Sequence, residues 1–259
     1  MRRRERALAA LDPVMARLID AAGPCTLAPS DEWQPFEALA RAIAHQQLNG
    51  TAAASILGRF TALYAPATFP EPAALAGSTD QQLRAVGFSY SKIAALRDLA
   101  DKVHAGVVPA TAEMHTLDDD AIVARVTQVR GIGRWTVEML LMFQLGRPDV
   151  LPVDDFGVCN GFRLAYGLKG MPRPRALAEF GARWAPHRSL AAWYLWRAVD
   201  LMREKKLPRA PRAPRVALKQ SRARPPAGKS GKPGKRAKRT AKRRASGARR
   251  RNATAASGK

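Results

Sequence analysis

The sequence predicts a mostly α-helical fold followed by a disordered basic tail, and three observations carry that prediction. Apolar residues recur at three- and four-residue spacing in segment after segment, and none shows the alternation of a half-buried strand. From Pro208 onward Pro, Ala, Gly, Lys and Arg dominate, and no acidic or aromatic residue occurs. That segment cannot bury enough apolar surface to offset its ordering entropy. The expected division is therefore a folded part over residues 1–207 and a disordered Lys/Arg-rich tail over residues 208–259.

In chain order, residues 6–22 read as one amphipathic helix with Leu8, Leu11, Met15, Leu18 and Ile19 as its stripe, closed by Gly23-Pro24. A second helix starts at Pro35-Phe36 and reaches Ile43, and a third covers residues 51–63. Between them, Ala44-His45-Gln46-Gln47-Leu48-Asn49-Gly50 is a polar interruption whose plain reading is a solvated connector. Residues 66–78 read as a Pro- and Ala-rich loop and residues 79–86 as a short helix. Gly87-Phe88-Ser89-Tyr90-Ser91-Lys92 then forms a turn and cap opening a helix over residues 93–105. Near the C-terminus, helices are expected over residues 175–184 and 188–202, set off by prolines. The last one carries Trp193, Tyr194 and Trp196, which cannot all face one core, so at least one lines a surface or cavity.

The stretch over residues 118–167 organises the rest. It reads as helix, glycine hairpin, helix, short connection, and an acidic pair opening a further helix. Ile122, Val123, Val126 and Val129 give the first helix its apolar face. Gly131 and Gly133 bracket Ile132 in a turn tight enough to need positive φ. Trp135, Thr136 and Val137 begin the next helix, whose free N-terminal amides can grip a phosphate without reading a base. An ordinary αα-hairpin would have the same local pattern. Then comes Leu151-Pro152-Val153-Asp154-Asp155-Phe156-Gly157-Val158, two carboxylates at a helix start. A capping role accounts for one of them.

Composition bounds the partner. The chain has 259 residues, a net charge of +23 and a pI near 11.3, which points to an anionic polymer, nucleic acid before membrane. Of 44 Lys and Arg residues, 19 lie from Arg209 onward, leaving +4 for the folded part. The tail would add sequence-independent, salt-sensitive DNA affinity. No apolar run spans a bilayer and the start does not look like a secretory signal. The expected compartment is the cytoplasm, with the protein associated with the bacterial nucleoid, or the nucleus in a eukaryote. Cys25 and Cys159 are far apart and outside any CxxC spacing, as expected of reduced, buried thiols. His45, His104, His115 and His187 show no zinc spacing.

With GIGRWT and LPVDDFGV in order, the sequence resembles the helix-hairpin-helix DNA glycosylase superfamily over about residues 11–203, within it the 3-methyladenine DNA glycosylase II branch. The resemblance implies two helical subdomains with the active cleft between them. The chain departs from longer relatives in that the Phe36 helix begins too early to leave room for a strand-rich N-terminal domain, so the compact form is expected. The resemblance also implies a monofunctional enzyme of base excision repair, likewise monomeric, that flips alkylated purines of the 3-methyladenine and 7-methylguanine type out of duplex DNA. The enzyme would hydrolyse the N-glycosidic bond and leave an abasic site.

The residues alone do not separate Asp154 from Asp155; the resemblance selects Asp155 as catalytic and leaves Asp154 as the cap or structural partner. A carboxylate about 4 Å from the developing sugar cation, at an effective dielectric near 20, supplies on the order of 4 kcal/mol, roughly three decades in rate. By the same resemblance Trp135, Phe156 and Trp196 form an aromatic pocket for an electron-poor base. Gln47, with Gln46 and Leu48 beside it, fills the hole left in the duplex, while Gly131, Ile132, Gly133, Arg134 and Thr136 hold the backbone. The backbone carbonyls of Thr127, Val129 and Ile132 would hold a monovalent cation; no other cofactor is expected.

Two absences narrow the class. Relatives that cut the strand place a lysine beside the hairpin, where this chain has Trp135, and iron–sulfur members need four cysteines where this chain has two. The competing expectations are an architectural DNA binder without catalysis and a glycosylase for oxidised or deaminated bases.

Overall fold

The computed structural model describes residues 2–30 and 32–209. The tail expected over residues 208–259 lies, but for its first two residues, outside them. The described residues form helices joined by turns and loops, without strands, and none of their helices is long and apolar enough to cross a membrane.

In chain order the helices are α1 (Arg3–Leu11), α2 (Pro13–Ala22), α3 (Pro35–His45), α4 (Gly50–Ala62), α5 (Pro72–Gly77), α6 (Asp80–Ala85), α7 (Tyr90–His104), α8 (Thr111–Thr116), α9 (Asp119–Val126), α10 (Arg134–Phe143), α11 (Phe156–Ala165), α12 (Pro174–Gly181) and α13 (Arg188–Arg203). A 3-10 turn at Ala182–Trp184 follows α12.

Two expectations are corrected here. The single helix over residues 6–22 is two, because Pro13 has no N–H to donate and disfavours helical geometry at the residue before it. Asp12 takes an extended conformation, and its Oδ1 accepts from the Val14 amide at 2.9 Å, capping α2. The kink turns Leu11 outward, 48% exposed, off the expected stripe. The loop over residues 66–78 is also partly ordered, since Pro72 at the first helical position starts α5 and buries Leu75.

The helices gather into two lobes. In the first, α7 packs on α3, α5 and α6, and α3 also meets α4 and α10. Its centre is Phe60, edge-on to Tyr64, Phe69 and Phe88. In the second, α13 lies against α11, α2 and α1. There Phe162, Tyr166, Phe180 and Trp184 form the aromatic centre. Buried Asp12 ties the α1–α2 corner to it, accepting from the Tyr166 hydroxyl at 2.6 Å and the Trp184 indole at 3.0 Å through Oδ2. Burial and the adjacent Asp12 push the Tyr166 phenol well above its ordinary range. Cys25 and Cys159 are buried free thiols, and burial raises Cys159 to about 11.

Candidate functional site

The hairpin follows from local chemistry. Asp118 caps α9 through the Ala121 amide, and α9 buries Ile122, Val123 and Val126. Val129 and Ile132 are also buried, and the Ile132 amide donates to the Val129 carbonyl at 3.0 Å, closing the turn. Only one of the two expected glycines needs its freedom. Gly131 sits at φ +77, whereas Gly133 is extended at φ −96 and serves as the cap residue of α10. No side chain caps α10, so its N-terminal end, with Gly133, Arg134 and Trp135 exposed, presents backbone amides and the positive end of the helix dipole. The Arg134 guanidinium is held by buried Glu138 at 3.0 Å and reaches Asp120 at 3.7 Å. Burial pushes the Glu138 carboxyl upward; the Arg134 bond opposes the shift, and the charges of Asp154 and Asp155 add to it.

Twenty residues beyond Trp135, Asp155 occupies the N-cap of α11, its Oδ1 accepting from the Val158 amide at 2.7 Å. The expected capping assignment is thus reversed: Asp154 is exposed, and Asp155 is the cap. Asp155 also binds two indoles. Trp196 Nε1 donates to Oδ1 at 2.8 Å from α13, and Trp135 Nε1 donates to Oδ2 at 2.8 Å from α10. Oδ1 therefore accepts two hydrogen bonds and Oδ2 one, which leaves Oδ2 free to accept another.

Glycine makes this approach possible. A Cβ at Gly157 would lie 2.7 Å from Trp196 Cδ1, and one at Gly161 would overlap the Leu195 carbonyl, so α11 and α13 meet nearly backbone to backbone.

Between α3 and α10 lies a cavity of about 560 Å³, lined mainly by apolar and aromatic groups. Trp33, Leu39, Met139, Phe143 and Trp135 form much of its wall, with His45, Gln46, Gln47, Thr136 and Gln144 supplying polar groups. Trp135 belongs to both the cavity and the carboxylate clamp. Trp196 does not line the cavity; it stacks behind Phe143 with ring centroids 5.8 Å apart. Phe156 is not among the lining residues either, and its ring is 73% exposed beside Asp155. Of the three expected pocket aromatics, then, one lines the cavity. Trp33 and Phe143 went unforeseen, because contacts between distant helices leave no local pattern.

The Gln-rich interruption stands at the same mouth. Gln46 ends α3 and sends Nε2 to the Gly131 carbonyl at 2.8 Å, joining the interruption to the hairpin. Gln47 is exposed and holds φ +59, a left-handed conformation unusual for a residue with a Cβ. Leu48 beside it is 40% exposed, and Asn49 caps α4. Of the hairpin carbonyls expected to hold a cation, those of Thr127, Val129 and Ile132, the Val129 oxygen already accepts the Ile132 amide at 3.0 Å. Among the described residues no cluster of His, Cys, Asp and Glu is suited to a metal.

Comparison with known proteins identifies the family. A family described as HhH-GPD superfamily base excision DNA repair protein matches residues 40–187. DNA-3-methyladenine glycosylase 1 of Schizosaccharomyces pombe is 40% identical over 168 residues, 65% of this chain and 74% of that protein. Alkylbase DNA glycosidase-like protein mag2 of the same organism is 31% identical over 78% of this chain and 96% of its own length. Among solved structures, S. pombe 3-methyladenine DNA glycosylase in complex with abasic DNA superposes with a TM-score of 0.67 at 37% identity, over 76% of this chain and 96% of the other. DNA-3-methyladenine glycosidase from Bacillus halodurans gives 0.72 at 32% identity, over 79% and 92%.

Proposed function

Since this chain belongs to the HhH-GPD superfamily of base excision DNA repair proteins, we propose that Asp155 is the catalytic carboxylate with which it releases alkylated purines from duplex DNA. The protein is a DNA glycosylase of the 3-methyladenine type, and its partner is DNA. In this reading the α10 amides and Arg134 hold the backbone, and the damaged base turns out of the stack into the cavity beside Trp135. An alkylated purine already carries positive charge, so it departs without a proton donor. The aromatic wall of the cavity attracts such a ring by stacking and cation–π interaction.

The observation that carries the reading is the clamp on Asp155: two indole N–H groups and a helix-end amide fix the carboxylate and leave one acceptor position on Oδ2. That position can face the sugar cation or orient the attacking water. A protein that only coats or bends DNA has no use for such a carboxylate, which repels phosphate. The cavity's apolar and aromatic wall favours alkylated over oxidised or deaminated bases. No cofactor is required for this hydrolysis. The carbonyls of Thr127, Val129 and Ile132 would hold a monovalent cation, which would add positive charge beside a backbone phosphate. The enzyme would work as a monomer at the chromosome, in a bacterial nucleoid or a eukaryotic nucleus.

The test is base release from methylated duplex DNA. Wild type should release methylpurines, and Asp155→Asn should keep DNA affinity while losing at least about two decades of rate, since one charge opposite the sugar cation is removed. An undiminished rate in the variant would exclude the role.

A further inference from the structure

The turn-and-cap motif over residues 87–92 has no part in the chemistry above, yet its lysine reaches the end of α3, next in sequence to the cavity-lining His45 and Gln46. Lys92 Nζ donates to the Ala44 carbonyl at 2.7 Å, in the last turn of α3, two residues before Gln46. Burial lowers the Lys92 pKa, so the contact is drawn from water at some cost. A cation there satisfies one of the carbonyls that a helix end leaves unpaired and complements the negative end of the dipole. The neighbouring carbonyls are occupied locally, Ile43 by the Gln46 amide and His45 by the Leu48 amide. Lys92 thus supplies the connection from this exit to another helix.

The same helix holds the hairpin. Asp98, six residues along α7, accepts from the Arg130 amide at 2.6 Å, and the side of α7 at Ala95 lies against Gly131. Gln46 closes the loop by donating to the Gly131 carbonyl. The exposed, left-handed Gln47 is therefore suspended between two fixed points, both fastened to α7.

We propose that Lys92 is a positioning residue for strand invasion: by fixing the end of α3 to α7, it sets where Gln47 enters the duplex relative to the phosphate-gripping hairpin. The proposal rests on the glycosylase reading, in which Gln47 fills the vacated space.

The experiment compares Lys92→Met, Lys92→Arg, Gln47→Ala and the Lys92→Met/Gln47→Ala pair in the full chain. Two readouts are used. One is single-turnover base release from methylated duplex. The other is 2-aminopurine fluorescence opposite an abasic-site analogue, which reports insertion without bond cleavage. Lys92→Met should lower both by about tenfold. Lys92→Arg, which keeps donor and charge, should recover most of the loss. The double variant should be no worse than Gln47→Ala, because positioning has no value without the side chain that is positioned. If Lys92→Met matches wild type in both readouts, or the two losses add in full, the proposal is overturned; poor folding of Lys92→Met and Lys92→Arg alike would also overturn it, as a general structural role. Failure of the parent reading has a different signature: wild type would release no methylpurine while the insertion signal persisted.

Discussion

A single carboxylate carries two duties at the scale of the residue. Asp155 ends the connection from α10 as a helix cap and is also the acid that the indoles hold. Trp196→Phe keeps a ring to stack on Phe143 and removes only the N–H to Oδ1. It should lower single-turnover base release by about tenfold, the worth of one hydrogen bond to a charged group, with little change in melting temperature. An unchanged rate would reduce that bond to packing. The Asp pair was legible in the sequence as an acid at a helix start, but its division of labour was not. Either aspartate can cap a helix, and only the backbone at Asp155, extended at φ −70 and ψ 123, decides which one does. Lys92 was equally hidden, since its target carbonyl is 48 residues away and the motif around it specifies only a turn.

Among the elements, the contact of α11 with α13 fixes the site most directly, because it brings Trp196 to Asp155. Gly161→Ala would force the two backbones apart and should cost at least about 2 kcal/mol, seen as a lower denaturant midpoint at unchanged slope. Gly58→Ala, in α4 with open space around it, serves as the control and should be neutral or slightly stabilising. A midpoint for Gly161→Ala equal to the control's would mean the seam accommodates the methyl group. Most helices follow from apolar spacing and caps: Thr79, Ser89 and Asp118 start α6, α7 and α9 as their positions suggest. The break at Asp12-Pro13 was written in the sequence as well, as a capping residue followed by a first-turn proline, but the apolar stripe runs on across it and masks it.

For the whole molecule, charge is divided unevenly, with most of the excess in the tail. Removing residues 210–259 should flatten the plot of log affinity for DNA against log salt, by about 0.9 for each phosphate the tail would have neutralised, while single-turnover release at saturation stays close to that of the full chain. Equal slopes would rule the tail out as a DNA ligand. The two-lobed arrangement came from family resemblance rather than from spacing, since apolar periodicity places a face on each helix without naming the helix it meets. Trp135 joins those lobes in a way that constrains how this protein can be altered. One indole is a wall of the chamber and a hand on the acid. On the proposed reading, trimming that wall to admit bulkier lesions would also loosen the carboxylate it holds. Trp33 lines the same cavity without a hydrogen bond to Asp155, so on that reading room made there would leave the carboxylate held.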